Sequence, residues 1–213
     1  RAALAVASGL MVPLCFPPFG WWPILLLVLP PLLIATTHTT PRRAFYLGLL
    51  QGIIGYGGSL YWLYNIFAYA AIPLFVIMAA FVALFCLLYN SLAEQIKSPA
   101  LRTAIVAVLW TGIEFYRSEL FLLRFPWITP GSGLGPTWLV PVVGVYGSSF
   151  LIAAAAAALV QRRTRRVGLL LSLGVLALGA FRPGTIAPPD DDSGLTVTVV
   201  QNEECFLPVY VKL

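Results

Sequence analysis

Charge is what this sequence has least of. Asp, Glu, Lys and Arg make up 10% of its 213 residues, while 60% are hydrophobic. Soluble domains carry about 25% charged residues, so a surface this poor in charge cannot face water on all sides. Histidine is almost absent too. The single one, His38, lies in the polar stretch "TTHTTPRR", a surface setting that argues against histidine-based catalysis. The three cysteines, Cys15, Cys86 and Cys205, are too far apart for a disulfide framework or a metal-ligand spacing. The first two read as small buried apolar residues. No metal ion and no other cofactor is expected.

What fills the chain instead is hydrocarbon, with a mean hydropathy of +0.90. Seven apolar segments are legible, at about 2–16, 22–37, 43–66, 70–96, 100–121, 137–160 and 166–181. A bilayer crossing needs ~20 mostly apolar residues, so these segments predict a polytopic, all-α membrane domain with about seven transmembrane helices. The first, second and last are short and require tilt or local thinning. The opening run, "RAALAVASGLMVPL", passes straight into "CFPPFGWWP" without a small-residue cleavage site, so it reads as a membrane helix, not a signal peptide.

The net charge of +5 is not the mark of a nucleic-acid partner, because the basic residues stand in short clusters between apolar runs. Arg1, Arg42, Arg43, Lys97, Arg102, Arg162, Arg163, Arg165 and Arg166 fall on alternate connections. By the positive-inside rule that side is the cytoplasm. The other connections, "FPPFGWWP", "NIFAYAAIP" and "LLRFPWITPGSGLGPTW", are rich in Trp, Phe and Pro and are placed outside. With an odd number of crossings the C-terminal segment also lies outside.

A stripe of small residues, Gly48, Gly52, Gly55 and Ser59, lets backbones approach closely. In a multi-span chain this favours packing within a monomer over a dimer interface, and the "IAAAAAALV" run is expected to do the same. The last residues change character. Residues 1–182 form the membrane domain, 183–194 ("PGTIAPPDDDSG") a polar linker, and 195–213 the start of a β-containing domain, since "LTVTVVQ" has strand character. A lone strand is not stable. The chain, which opens on Arg1 and stops at Leu213 within that element, therefore reads as a fragment.

The stretch "WTGIEFYRSELFLLRFPW" holds the candidate site. Trp110, Glu114 and Arg117 fall at i, i+4 and i+7 and share a helical face. Glu114 and Arg117, three apart, are expected to pair along it, which lowers the cost of holding either charge in lipid. Such residues either clamp the helix to its neighbours or contact a lipid headgroup; the first is preferred because Glu114 has a local partner and lies near the helix end. Glu119 and Arg124 are expected to be interfacial. After them, Pro126, Pro130 and Pro136 rule out a continuous helix, so the segment is a loop. Phe125, Pro126 and Trp127 then stand at the membrane surface, as aromatic anchors or at a lipid entrance.

In order along the chain, these motifs resemble one family, the bacterial apolipoprotein N-acyltransferases. "FPPFGWWP" resembles the family's Phe-x-Pro-(Phe/Tyr)-x-x-Trp-Pro segment, and "YWLYNIF" its Trp-(Leu/Val)-Tyr stretch. "LWTGIEFYRSELFLLRFPW" is similar to its Trp-x-x-x-Glu-x-x-Arg helix followed by Phe-Pro-Trp, and "GVYGSSFLI" to its Gly-Val-Tyr-Gly-x-Ser-Phe. "TVTVVQ" resembles the first strand of its α/β nitrilase-like (carbon-nitrogen hydrolase) domain.

The resemblance implies a multi-pass enzyme of the bacterial inner membrane with its nitrilase-like domain on the periplasmic side. It implies transfer of an acyl chain from a phospholipid donor to the N-terminal diacylglyceryl-cysteine of an apolipoprotein, through a thioester on a Glu-Lys-Cys triad. That triad, and an eighth crossing, are expected beyond Leu213, so no catalytic residue is assigned within the 213 and the fragment alone is expected to be inactive. The tail departs from the family: "NEECFLPVYVKL" follows Gln201 where Gly-(Asn/Asp)-Ile-Pro is usual. Glu203, Glu204, Cys205 and Lys212 supply the triad's residue types, yet they lie on one short segment, whereas a triad converges from separate elements. Two alternatives stay open: a membrane scaffold for a polyprenol-phosphate mannosyltransferase, and a non-catalytic membrane protein or transporter.

Overall fold

The computed structural model describes residues 1–93 and 95–181. The proposed linker at 183–194 and the β-containing start at 195–213, including Cys205 and its neighbouring acids, lie outside the described residues. Among the described residues every regular element is helical and there is no strand. The order is α1 (Ala2–Cys15), a 3₁₀ turn (Trp22–Ile24), α2 (Leu25–Thr36), α3 (Pro41–Ser59), α4 (Leu63–Phe67), a second 3₁₀ turn (Ala68–Ala70) and α5 (Ala71–Ala93). Then come α6 (Pro99–Phe115), α7 (Pro130–Gly133), α8 (Leu139–Val160) and α9 (Arg165–Ala180).

Helix starts follow local chemistry. Thr40, Ser98 and Thr129 each precede a proline at the first helical position, and each side-chain oxygen accepts a hydrogen bond from a backbone N–H three residues on. Proline's missing N–H costs nothing there, and the hydroxyl satisfies a donor the helix cannot. Helical stretches Leu63–Leu92 and Leu139–Val160 are long and apolar enough by composition to cross a bilayer, while Ala2–Cys15 and Trp22–Thr36 are apolar but shorter.

Helix occupies each apolar segment legible in the sequence, with three departures. The segment expected at 43–66 breaks after Ser59 and resumes as α4. The expected "NIFAYAAIP" connection is mostly helical and leads directly into α5. In α8, Gly144 adopts φ 73° and ψ 176°, which divides the helix into two pieces and suits glycine alone.

Side chains are distributed unlike those of a soluble bundle. Large apolar residues face outward along most helices, with Ile66 63%, Val142 79% and Leu170 69% exposed. Polar ones turn inward: Ser8, Gln51, Asn90, Glu114, Arg117, Ser148 and Ser149 are all buried. They are put to use between helices. Ser8 Oγ donates to the Val28 carbonyl at 2.7 Å, joining α1 to α2. Asn90 Nδ2 donates to the Thr36 and Thr39 carbonyls at 2.8 and 3.1 Å, joining α5 to the α2–α3 turn.

Close packing of α3 depends on its missing side chains. A Cβ on Gly52 would stand 2.5 Å from Ala79 Cα of α5, and one on Gly55 would stand 3.1 Å from Val12 of α1. The small-residue stripe is therefore used within the chain. In α8, Ala153 to Ala158 are all buried, and Gly168 of α9 sits against Ala158 and Leu159. Because backbone atoms oppose it, Gly52→Ala is expected to destabilise the protein by about 1–3 kcal/mol. Gly57→Ala, which meets nothing within 4 Å, should be neutral or stabilising. Thermal unfolding of both purified variants in detergent checks this, and equal midpoints would contradict it.

Candidate functional site

The site grows from the C-terminal end of α6. After Phe115 the chain winds one wider π turn over Tyr116–Leu120, closed by the Phe121 N–H donating to the Tyr116 carbonyl at 2.8 Å. Such turns change which residues share a face, and they recur at functional positions. Here both Arg117 and Ser118 turn inward, at 2% and 3% exposure, beside Glu114 at 5%.

The expected pairing of Glu114 with Arg117 is not what the two side chains do. Glu114 Oε1 accepts from Ser149 Oγ of α8 at 2.7 Å. Arg117 Nη1 donates to the Trp127 carbonyl at 3.0 Å and approaches Met78 Sδ of α5 at 3.6 Å. Its guanidinium lies 5.4 Å from the ring centroid of Tyr56 on α3, a cation–π distance. Both side chains border the same small cavity inside the bundle, but their hydrogen bonds go to different elements, Glu114 to α8 and Arg117 to the loop beyond the π turn. Each charge thus bonds a different neighbour.

Together these bonds suspend the loop after α6 from two points. Ser149 Oγ also accepts from the Gly131 N–H at 2.8 Å, so Glu114, Ser149 and the start of α7 form one chain of hydrogen bonds. Gly131 has to be glycine, since a Cβ there would collide with the Val145 carbonyl. Arg117 holds the other point, at Trp127. Between and beside the anchors, Arg124 and Ile128 take φ of 40° and 60°. A β-branched residue in that region is strained, and it persists only where its surroundings hold it.

Phe125, Pro126 and Trp127 are thereby fixed in place. Trp127 lies 5.3 Å from Trp62 and 5.9 Å from Phe125 between ring centroids. A groove of ≈ 450 Å³ follows, lined by Phe16, Pro17, Trp62, Pro126, Trp127 and Ile128. It unites three sequence motifs far apart in the chain, "FPPFGWWP", "YWLYNIF" and the Phe-Pro-Trp loop. Phe16 and Ile128 also line an apolar cavity inside the bundle, which includes Tyr56 and Trp110. A further small cavity beside it is lined by Trp110, Glu114 and Arg117. Glu114 Oε2, Trp110 Nε1, Ser118 Oγ and Thr137 Oγ1 have no hydrogen-bond partner among the described residues.

All six residues singled out from the sequence (Trp110, Glu114, Arg117, Phe125, Pro126 and Trp127) thus fall around one loop. Glu119 lies farther out, where the Tyr146 hydroxyl donates to its Oε1 at 2.5 Å. Ser149, Gly131, Tyr56 and Met78 were not singled out as partners. Ser148 and Ser149, a polar pair opening an alanine-rich run, are the one local signal. Among the described residues no group of three or more His, Cys, Asp or Glu could hold a metal. The arrangement places a hydroxyl, a carboxylate and a guanidinium in structural bonds, and leaves an aromatic-lined apolar groove free.

Comparisons with known proteins agree with one another. Residues 8–158 match the family model described as the apolipoprotein N-acyltransferase N-terminal domain. A protein named apolipoprotein N-acyltransferase from Pseudomonas aeruginosa (strain LESB58) is 31% identical over 219 residues, covering 93% of this chain and 43% of its own. The like-named protein of Pseudomonas paraeruginosa is 34% identical, covering 85% and 38%. That of Geobacter metallireducens is 32% identical, covering 71% and 31%. The chain thus spans less than half the length of these relatives.

Ser149→Ala removes the link between Glu114 and Gly131. The variant is expected to lose about 1–3 kcal/mol, because two buried groups lose their partner. Amide hydrogen exchange at Gly131 should accelerate in step. Unchanged protection at Gly131 would contradict the suspended-loop description.

Proposed function

This chain belongs to the apolipoprotein N-acyltransferase family, and from that membership we propose that it is the membrane part of an enzyme that N-acylates lipoproteins. The acyl chain comes from a phospholipid and goes to the α-amine of a diacylglyceryl-modified N-terminal cysteine. In the full-length protein a cysteine thiolate attacks the phospholipid ester, keeps the acyl group as a thioester and releases the lysophospholipid; the lipoprotein amine then attacks the thioester, forming an amide and freeing the cysteine thiolate. A glutamate serves as general base and a lysine stabilises the oxyanion, on a nitrilase-like domain at the outer face. Residues 1–181 hold and orient the two amphiphilic substrates and do not themselves carry out the chemistry.

The observation that carries this proposal is the aromatic groove anchored by Glu114 and Arg117. It combines three motifs that resemble the family's, and it has the size and apolar character of a site for an amphiphile's chain. The outward apolar side chains support a bilayer as the surrounding solvent, with about seven crossings in the inner membrane. The arginine-bearing turns favour the cytoplasm for one end, so the groove lies at the periplasmic end.

Acyl transfer by the purified full-length protein to a diacylglyceryl-cysteine peptide, followed by mass, tests the proposal. Wild type is expected to add one acyl chain, and a wild type with no transfer would contradict it. Glu114→Gln should lower accumulation several-fold, because a loss of 1–2 kcal/mol has about that effect on abundance, while turnover per molecule stays within about twofold. Normal accumulation with abolished transfer would contradict the structural role assigned to Glu114.

A further inference from the structure

At the other end of α6 lies a second cavity, of a different kind. Glu114 and Arg102 are twelve residues apart, which at 1.5 Å per residue sets this cavity roughly 18 Å from the suspended loop. Thr37 at the end of α2, Tyr89 of α5, Arg102 of α6, and Gln161, Arg162 and Arg163 after α8 line a volume of ≈ 290 Å³. A phosphate group has about five heavy atoms, and five water-sized shares of about 30 Å³ fit within that volume.

Its walls are built for an anion. Among the described residues, three guanidinium groups border it and no Asp or Glu does. Arg102 is held in position by Nη2 donating to the Ile96 carbonyl at 2.7 Å. Its Nε is buried with no hydrogen-bond partner among the described residues. Gln161 Nε2 donates to Thr103 Oγ1 at 2.9 Å, closing the wall between α8 and α6. Arg162 and Arg163 are exposed and free to swing over the mouth. Leu101, next to Arg102 on α6, and Val167 and Leu170, at the start of α9 that follows Arg163, are 51%, 54% and 69% exposed, an apolar flank adjoining the basic one in the chain.

We propose that this cavity binds the phosphate group of an anionic phospholipid, whose acyl chains lie along the exposed Leu101, Val167 and Leu170. Basic pockets between membrane helices recognise acidic headgroups in this way, charge against phosphate and chains against hydrocarbon. The adjacent apolar flank selects a lipid over a free ion. This site rests on the bundle lying in a bilayer and is independent of acyl transfer; it is remote from the groove assigned to the substrates.

Native mass spectrometry of the purified full-length protein, offered equal amounts of phosphatidylglycerol and phosphatidylcholine in detergent, tests it. Wild type should retain phosphatidylglycerol preferentially. The surface double variant Arg162→Gln/Arg163→Gln, which touches no internal bond that the fold requires, should lower that retention about tenfold. The control Arg42→Gln/Arg43→Gln, on the neighbouring turn, should keep it. Excess inorganic phosphate should leave the lipid bound. Equal retention of the two lipids by wild type, an equal loss in the control, or displacement by inorganic phosphate would each overturn the proposal. Acyl transfer assayed on the wild-type preparation shows separately whether the enzymatic proposal fails.

Discussion

Polar groups in a bundle that is apolar on its outside find their hydrogen bonds inside, because hydrocarbon offers none. That constraint organises this protein. Serine and asparagine side chains bond backbone carbonyls across helices, and the two most expensive groups, Glu114 and Arg117, are spent on holding one loop. Because neither charge can be released without leaving the other groups unpaired, the loop inherits the rigidity of the bundle. Strained backbone at Arg124 and Ile128 is tolerated on the same account.

The two ends of the bundle consequently differ in chemistry. One carries prolines, aromatic rings and an apolar groove bounded by Trp62 and Trp127. The other carries arginines around a cavity suited to an acidic headgroup. In the proposed arrangement the first end serves the reaction and the second binds a lipid headgroup.

Much of this was legible in the residues. Apolar runs separated by Pro, Gly and Arg located the helices to within a few positions, since hydrophobic patterning is a local signal. Prolines 126, 130 and 136 identified the loop. What was not legible depends on contacts between distant elements. Glu114 and Arg117 look like a local pair in one helix, yet each bonds a different element, and the partner of Glu114 lies 35 residues further on. The breaks after Ser59 and at Gly144 occur inside apolar runs that carry no composition change. Ser149 belongs to the "GVYGSSFLI" motif but carries no charge, and only the fold reveals it as the link between α6 and α7.

The account rests on the chain crossing a bilayer with its arginine turns on one side and the suspended loop on the other. Reporter fusions placed after Arg166 and after Asp192 in cells test that most directly. Activity of a cytoplasmic reporter at the first position and of a periplasmic reporter at the second is the predicted result. Both reporters active in the same compartment would contradict it.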